Sequence, residues 1–382
     1  MQEGKKRNVL TVIVLLIVLI GGAWFFAGNL KTSVTGPVRI GVIHPFTGDA
    51  AVYGEPMLRV LNLAAEKINA EGGIDGYPIE FVVEDGKCDG TAAANAAQKL
   101  VNIDKVEVII GGFCSGEALA AEPITTAAGV ALFSSSASNP KLSGISPLFV
   151  RNYPSDSSQG VVLADAAIAN GMRKIAVLQE QTDYAAGIYE VFDAQIQENG
   201  GTTHKEEYTT DSYDFRTSIA KLQAERPDGL FVIANSPVSA ERIFKQLKEM
   251  GWESSLLVSD VIAGDPTLVA THADLLEGAY AAEFGVDDNN PKFREVIDAY
   301  SAKYMTEPPF QAYVQTGYDA VFLIAEAIKE VGYDGEKIAA WLRDVESWQG
   351  ASGTLTINSN GDPEVGHRLE VIKSGKIEVV GE

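Results

Sequence analysis

The stretch GGFCSGEALA, residues 111–120, places a thiol and a hydroxyl side by side in a glycine-rich turn. The β-branched run VEVII before it is typical of a buried strand, and the alanine-rich run after it is typical of a helix. Cys114 and Ser115 therefore lie between a strand end and a helix start. Three roles fit such a turn: a nucleophile, a cradle for an anion, and a plain connection in which Ser115 caps the helix.

An enzymatic role is not supported by the residue types or their spacing. The motif GFCSG differs from the nucleophile elbow G-x-S-x-G, because Cys114 takes the central position and Ser115 comes one place late. The histidines lie in separate segments, at His44, His204, His272 and His367, without the spacing of metal ligands. No phosphate-binding loop or dinucleotide fingerprint is found in the sequence. We expect no enzyme, no cofactor and no metal.

An anion cradle suits the turn better than a nucleophile does. The Ser115 hydroxyl and the first backbone N–H groups of the helix would point at one spot, where the helix dipole favours a negative group. A plain helix cap uses the same residue, so both roles stay open at this point.

Strands and helices alternate in two successive sets along the chain. The first set begins with VRIGVI at residue 38, and the alternation restarts with KIAVLQE at residue 174, after the break RNYPSDS. Such alternation predicts an α/β fold of two doubly wound, parallel-sheet lobes. Ligands of open α/β sheets bind beyond the carboxyl ends of the strands, which is where the turn at 111–116 lies.

Composition and the N-terminus suggest an exported chain. The formal net charge of −22 disfavours nucleic acid as a partner, because the phosphate backbone carries the same sign. We predict a basic cytoplasmic stub at 1–8, an uncleaved signal anchor crossing the membrane at 9–28, and a tether at 29–37. The alternative is a cleaved signal peptide and a secreted protein. The two cysteines of an exported chain favour a disulfide over two free thiols.

Several motifs, in order, resemble the leucine/isoleucine/valine-binding proteins, which are type I periplasmic binding proteins serving ABC importers. They include IGVIHPFTGDAAVYGE, INAEGGIDGYPIEFVVEDGKCD, GGFCSGEALA, SSSASNPKL, DYAAGI and TGYDAVFLIAEAI, and the resemblance runs from residue 38 to the C-terminus. It implies two lobes that close on a ligand through a three-strand hinge. The first lobe would be 38–152 plus 284–348, and the second 153–283 plus 349–382. The hinge segments would be Arg151–Pro154, Tyr280–Phe284 and Trp348–Ala351.

The resemblance also implies roles for individual residues. Ser115 matches a serine that holds the α-carboxylate of an amino acid, and Ser138 matches a threonine that contacts both the carboxylate and the amino group. Asp260 and the Ser136 carbonyl match the partners of the ammonium group. Tyr53 and Tyr184 match tyrosines that line the cleft from opposite lobes, with Phe113, Asn235 and Ser236 as further candidates. Cys88 and Cys114 match the family's disulfide.

This chain also departs from the family's pattern. Ser138 stands where threonine is usual, Asp260 is one methylene shorter than the glutamate of leucine binders, and Asn235 and Ser236 occupy the region of a further tyrosine. These changes leave the identity of the ligand side chain open.

The function implied is that of an extracytoplasmic, monomeric solute-binding protein. It would capture an amino acid, of branched-chain type or related, and deliver it to an ABC permease in the membrane. The alternatives are a receptor ectodomain that reports its ligand to a partner chain, and a binder of an amide or carboxylate without an amino group.

Overall fold

The computed structural model describes residues 35–381, which form two α/β lobes of strands and helices. The strands, in chain order, are β1 (Val38–His44), β2 (Ile79–Asp85), β3 (Val108–Ile110), β4 (Ala131–Ser134), β5 (Phe149–Arg151), β6 (Lys174–Glu180), β7 (Thr202–Tyr208), β8 (Gly229–Ile233), β9 (Ser255–Val258), β10 (Tyr280–Glu283), β11 (Trp348–Gly350), β12 (Gly353–Leu355), β13 (Arg368–Lys373) and β14 (Lys376–Val379).

The α-helices of the same residues are α1 (Ala51–Ala70), α2 (Gly90–Lys99), α3 (Ser115–Ala127), α4 (Asp156–Ala169), α5 (Asp183–Glu198), α6 (Arg216–Ala224), α7 (Pro237–Glu249), α8 (Asp260–Ala263), α9 (Pro266–Thr271), α10 (Ala273–Leu276), α11 (Pro291–Tyr304), α12 (Gln311–Val331) and α13 (Gly335–Arg343). A π-helical turn, Leu100–Asp104, continues α2, and a 3₁₀ turn spans Pro140–Leu142.

Two sheets define two lobes. The sheet of the first lobe has the order β2-β1-β3-β4-β5 and is parallel throughout. The sheet of the second lobe has the order β14-β13-β10-β9-β8-β6-β7, parallel except where β13 and β14 add antiparallel strands. Helices cover the central strands, so β3 and β8 are buried along their whole length, as their apolar sequences require. The predicted α/β fold with two parallel sheets is confirmed.

The chain crosses between the lobes more than once. It leaves the first sheet after β5 and enters the second lobe at α4, which packs against β10 and β13. It returns after β10, because α11 and α12 pack on α1 of the first lobe. The successive helices that follow β10 therefore complete the first lobe, and they add no strands to the parallel series of either sheet.

The third crossing does not lie at Trp348–Ala351, where the sequence places it, nor does the second lobe begin at residue 349. Strands β11 and β12 form an antiparallel hairpin. The Asp319 carboxylate on α12 accepts hydrogen bonds from the backbone N–H groups of Ala351 (2.7 Å) and Ser352 (2.8 Å), and these bonds hold the hairpin on the first lobe. Further along, Asp362 forms a buried ion pair with Arg151 at 2.7 Å. Only at β13 does the chain pair with the second sheet.

The predicted stub at 1–8, the signal anchor at 9–28 and most of the tether at 29–37 lie outside the described residues. Within 35–381, no helix has both the length and the apolar character needed to cross a membrane.

Candidate functional site

A small cavity of about 20 Å³ lies between the lobes, where strand ends of the first sheet face those of the second. Its volume is enough for one water molecule. The residues around it combine hydroxyls with aromatic rings. They are Tyr53, Phe113, Cys114, Ser115, Ser136, Ser138, Tyr184, Asn235, Val261 and Tyr313. The loops after β1, β3, β4, β6, β8 and β9 thus meet at one point, as expected for an open α/β sheet.

Ser115 is the first residue of α3, and Cys114 occupies the capping position before it. The Ser115 hydroxyl oxygen accepts backbone N–H bonds from Ser138 at 3.3 Å and from Asn139 at 3.2 Å. Its side chain is buried, with 2% of its surface exposed. Since both lone pairs have donors, the hydroxyl hydrogen is left to point toward the cavity. Ser115 is therefore placed to donate to an anionic group at the start of α3.

A disulfide and a buried carboxylate hold the start of α3 in place. Cys88 and Cys114 form the disulfide, with Cα atoms 5.3 Å apart, which confirms the predicted pair. The Glu117 carboxylate accepts the backbone N–H of Cys88 at 2.8 Å and of Cys114 at 3.0 Å. Burial raises the pKa of Glu117 to about 7, against the lowering effect of these bonds. Gly86 is required beside it, because a Cβ there would lie 2.3 Å from Glu117 Oε1.

The loop after β4 supplies the other two predicted serines. The Ser136 hydroxyl donates to the backbone carbonyl of Phe113 at 2.8 Å, which ties this loop to the loop after β3. The Ser138 hydroxyl donates to Oδ2 of Asp156 at 2.7 Å. Ser138 therefore joins the first lobe to the first residue of α4 in the second lobe.

Asp260 begins the short helix α8 and is 1% exposed. Its Oδ2 accepts hydrogen bonds from the hydroxyls of Tyr153 (3.0 Å) and Tyr313 (3.3 Å), and its Oδ1 accepts one from Tyr184. Tyr184 belongs to the second lobe and Tyr313 to the first, so the carboxylate gathers donors from both. Burial beside Asp260 raises the pKa of all three tyrosines, so these phenols remain protonated and donating.

Asp156 is a second buried carboxylate at the site, and sequence reasoning assigned it no role. It is 0% exposed, and its Oδ1 has no hydrogen-bond partner among the described residues. Burial and the nearby charge of Asp260 raise the pKa of Asp156 well above its ordinary value. The signal was present in RNYPSDS, where an acidic residue opens the first helix after the break between the two strand sets.

Aromatic rings make one wall of the cavity. Tyr53 and Phe113 stack with ring centroids 5.1 Å apart, and Tyr313 meets Phe113 edge-on at 5.2 Å. Phe310 packs behind Tyr53 at 4.6 Å. The Tyr53 hydroxyl is buried without a hydrogen-bond partner in the described chain, so it is available to a ligand. Tyr153, Tyr313 and Phe310 were not identified from sequence, because tyrosines and phenylalanines at these positions look like ordinary core residues.

The two remaining predicted residues, Asn235 and Ser236, differ in their position relative to the cavity. Asn235 lines the cavity and its amide donates to Cys88 Sγ at 3.2 Å. Ser236 instead caps α7 by accepting the backbone N–H of Ser239 at 3.1 Å, and it does not line the cavity.

Direct contacts join the lobes around the site. Arg242 on α7 forms an ion pair with Asp49 after β1 at 2.6 Å. Asn139 donates to the carbonyl of Asp183 at 2.6 Å. Gly187 on α5 permits this approach, since a Cβ there would lie 2.7 Å from the Asn139 amide nitrogen. The site is thus enclosed by both lobes.

Among residues 35–381, no three His, Cys, Asp or Glu side chains are placed to hold a metal ion. The cavity is lined by hydroxyl groups and aromatic rings, and two buried carboxylates lie next to this lining: Asp156 accepts from Ser138, and Asp260 accepts from Tyr184 and Tyr313.

Comparison with known proteins identifies the family. The family model described as "Periplasmic binding protein" matches residues 37–373. The leucine-, isoleucine-, valine-, threonine-, and alanine-binding protein of Pseudomonas aeruginosa is 29% identical over 330 residues, which cover 85% of this chain and 87% of that protein.

Solved structures show the same likeness. A leucine binding protein from Thermotoga maritima superimposes with a TM-score of 0.81 at 27% identity, covering 90% of this chain and 97% of that one. A branched-chain amino acid transporter substrate binding protein from Streptococcus pneumoniae, in complex with isoleucine, gives a TM-score of 0.79 at 26% identity, covering 90% and 99%. This chain belongs to the periplasmic binding protein family.

Proposed function

We propose that this protein is the extracytoplasmic solute-binding protein of an ABC importer and that it captures an α-amino acid between its lobes. One observation carries the proposal: Tyr184 and Tyr313, whose hydroxyls donate to the buried carboxylate of Asp260, line the same small cavity as Ser115 at the start of α3. A zwitterion needs both kinds of partner, because each of its charges loses water on entering the site.

Each predicted residue takes one part in this proposal. The α-carboxylate is held by Ser115, by the first N–H groups of α3 and by the Ser138 hydroxyl, which turns to the ligand from Asp156 Oδ2. The ammonium is held by Asp260 and the Ser136 carbonyl. Tyr53 and Tyr184 close over the ligand from the two lobes. Similarity to binders of leucine and isoleucine supports an aliphatic amino acid. The ring wall of Tyr53, Phe113 and Tyr313 supplies the apolar contact that such a side chain requires.

The proposal also covers the oligomeric state, the membrane anchor and the motion of the lobes. The protein is a monomer with the two lobes separated by hinge segments, and its residues 9–28 anchor it to the membrane beside the permease that receives the ligand. The lobes open and close about the crossings after β5 and β10. No catalytic step is involved.

A second candidate is a ligand with a carboxylate or amide and no amino group. The three tyrosine hydroxyls on Asp260 favour it, because they already supply hydrogen-bond donors to that carboxylate. In this case Asp260 would orient the phenols and would not bind an ammonium.

A calorimetric screen of the purified protein distinguishes the two. The ligands are leucine, isoleucine, valine, alanine and threonine, each paired with its analogue lacking the amino group, such as 4-methylpentanoate for leucine. Tight binding of an amino acid, with its deaminated analogue at least thirtyfold weaker, is the expected result. Equal or tighter binding of the analogue would establish the second candidate, and no binding by either set would refute both.

A further inference from the structure

A second, larger cavity of about 710 Å³ lies between the lobes, lined by residues distinct from those of the central site. The first lobe contributes Tyr300 on α11 and Phe310 before α12, and the second contributes β10, β13 and the start of α9. Its volume falls within the range of small-molecule sites. An occupant would contact both lobes at once.

Two carboxylates of the second lobe face this cavity from one side of the sheet. Glu283 on β10 lies directly opposite Arg368 on β13, and Glu370 follows Arg368 two residues later. Because alternate residues of a strand share a face, all three side chains lie on the same side. The sheet therefore presents two acidic groups and one basic group to the cavity.

The charges and hydrogen bonds of this cluster do not balance. Arg368 Nε donates to Glu370 Oε1 at 3.0 Å, but Glu370 Oε2 has no partner within residues 35–381, although its side chain is only 2% exposed. No hydrogen bond or ion pair joins the Glu283 carboxylate to another described side chain. A buried carboxylate oxygen without a donor is costly unless a ligand supplies one. Burial and the neighbouring Glu370 raise the pKa of Glu283, and the charge of Arg368 opposes this shift only in part.

The rest of the lining indicates what kind of cation would fit. The described residues contain no group of three metal-ligating side chains, so a bare metal ion is poorly served. Phe284 and Phe310 add buried aromatic surface on the two sides of the cavity, which suits a hydrocarbon body and the face of a cation.

We propose that this cavity is a second binding site, for an organic cation in which a primary amine or guanidine is joined to a hydrocarbon body. Its nitrogen donates to Glu370 Oε2 and Glu283, and its body packs on Phe284 and Phe310. Since the walls come from both lobes, the occupant stabilises the arrangement of lobes described here.

Calorimetry on the full chain in detergent tests this site. The probes are 2-phenylethylamine and agmatine. The control ligand is 2-phenylethanol, the uncharged analogue of 2-phenylethylamine. Titrations are made on the Asp260→Asn protein as well as the wild type, so that binding at the central site does not contribute. We expect at least one cation to bind one-to-one in both proteins, and 2-phenylethanol to bind at least tenfold more weakly than 2-phenylethylamine.

Variants of the two carboxylates locate the binding. Glu370→Gln keeps the acceptor for Arg368 Nε and removes the charge, and we expect it to weaken the cation at least tenfold. Glu283→Gln is the second variant. In the case where Glu370→Gln lowers the melting temperature, the affinity of Glu283→Gln decides the question. Glu253→Gln, an exposed carboxylate outside the cavity, is the matched control and should leave affinity unchanged. Failure of both cations to bind, or unchanged affinity in both cavity variants, would overturn the proposal.

Discussion

Ser138 Oγ lies 2.7 Å from Asp156 Oδ2, and this hydrogen bond joins the first lobe to the first helix of the second. The site thus contains two buried carboxylates in different settings. Asp260 receives three phenol hydroxyls, whereas Asp156 receives the Ser138 hydroxyl on one oxygen and has its other oxygen unpartnered in the described chain. Different roles follow for the two acids, and they can be measured separately.

Asp260→Asn should weaken amino-acid binding by about 30-fold to several-thousand-fold. The change keeps the size of the side chain but removes the charge opposite the ammonium, which costs about 2–5 kcal/mol for a buried pair. Calorimetry with the best amino acid from the screen measures it, with Glu253→Gln as control. Affinity within about threefold of wild type would mean that Asp260 does not bind an ammonium.

Asp156→Asn should change amino-acid affinity less than about tenfold, which is about 1.4 kcal/mol. Burial and the charge of Asp260 raise the pKa of Asp156 well above its ordinary value, so the fold favours the neutral carboxyl, which asparagine resembles. A raised pKa in the folded state lowers stability as pH increases above the unfolded value, so the variant should be at least as stable as wild type at pH 7. A loss of affinity as large as that of Asp260→Asn would show that Asp156 is the charged partner of the ligand.

The disulfide should stabilise the protein by about 3 kcal/mol, because it closes a loop with a sequence separation of 26. Denaturant unfolding of the Cys88→Ser, Cys114→Ser double variant at pH 7 measures the loss. A reductant should shift the wild-type midpoint toward that of the variant and leave the variant itself unchanged. Thiol labelling of the unreduced, denatured wild type should find no free thiol, and stoichiometric labelling would contradict the bond.

His44→Phe should make the protein more resistant to acid. Both ring nitrogens of His44 are buried without partners in residues 35–381, and burial lowers its pKa to about 3. The unfolded chain therefore takes up a proton near pH 6.5 that the folded chain takes up only near pH 3, and stability is lost as pH falls through this window.

Removing His44 should reduce the slope of the unfolding free energy against pH by up to about 1.4 kcal/mol per unit between pH 6 and 4. Urea unfolding at several pH values gives the slope. An identical slope in wild type and His44→Phe would refute the buried, neutral state of His44.

Arg242→Met should weaken ligand binding by up to about fivefold at low salt, since the ion pair with Asp49 joins the lobes and such partly exposed pairs contribute up to about 1 kcal/mol. The difference from wild type should shrink in 1 M salt, where charges are screened. Lys245→Met removes an exposed pair with Glu241 within the same helix and should not affect binding. Equal affinities for wild type and Arg242→Met at low salt would exclude a role for this contact in lobe closure.

The sequence was informative wherever the signal was local. Alternating apolar runs predicted both parallel sheets, and a single cysteine pair predicted the bond between Cys88 and Cys114. Resemblance then placed Ser115, Ser138 and Tyr184 at one cavity, because short motifs at strand ends keep their positions in this fold.

Contacts between segments that lie far apart in the chain could not be predicted from the sequence. Tyr313 lies on the buried helix α12, where its spacing matches that of core residues, and only the meeting of the lobes brings its hydroxyl to Asp260. The third crossing was misplaced for the same kind of reason. The backbone N–H groups of Ala351 and Ser352 donate to the carboxylate of Asp319, which lies on the distant helix α12. Ser236 was assigned to the ligand on position; it caps α7, and its role toward a ligand stays a prediction.

The ion pair between Arg151 and Asp362 joins residues 211 positions apart, and Arg151 is 0% exposed. Neither lobe is a continuous piece of chain, and within residues 35–381 Arg151 forms its ion pair only with Asp362, which comes late in the sequence. Contacts of such long range slow folding, because a large loop must close before they contribute. We expect refolding after dilution from denaturant to show a late, slow phase in which both lobes gain structure together, and a chain still emerging from a membrane pore to remain unfolded until nearly all of it has passed.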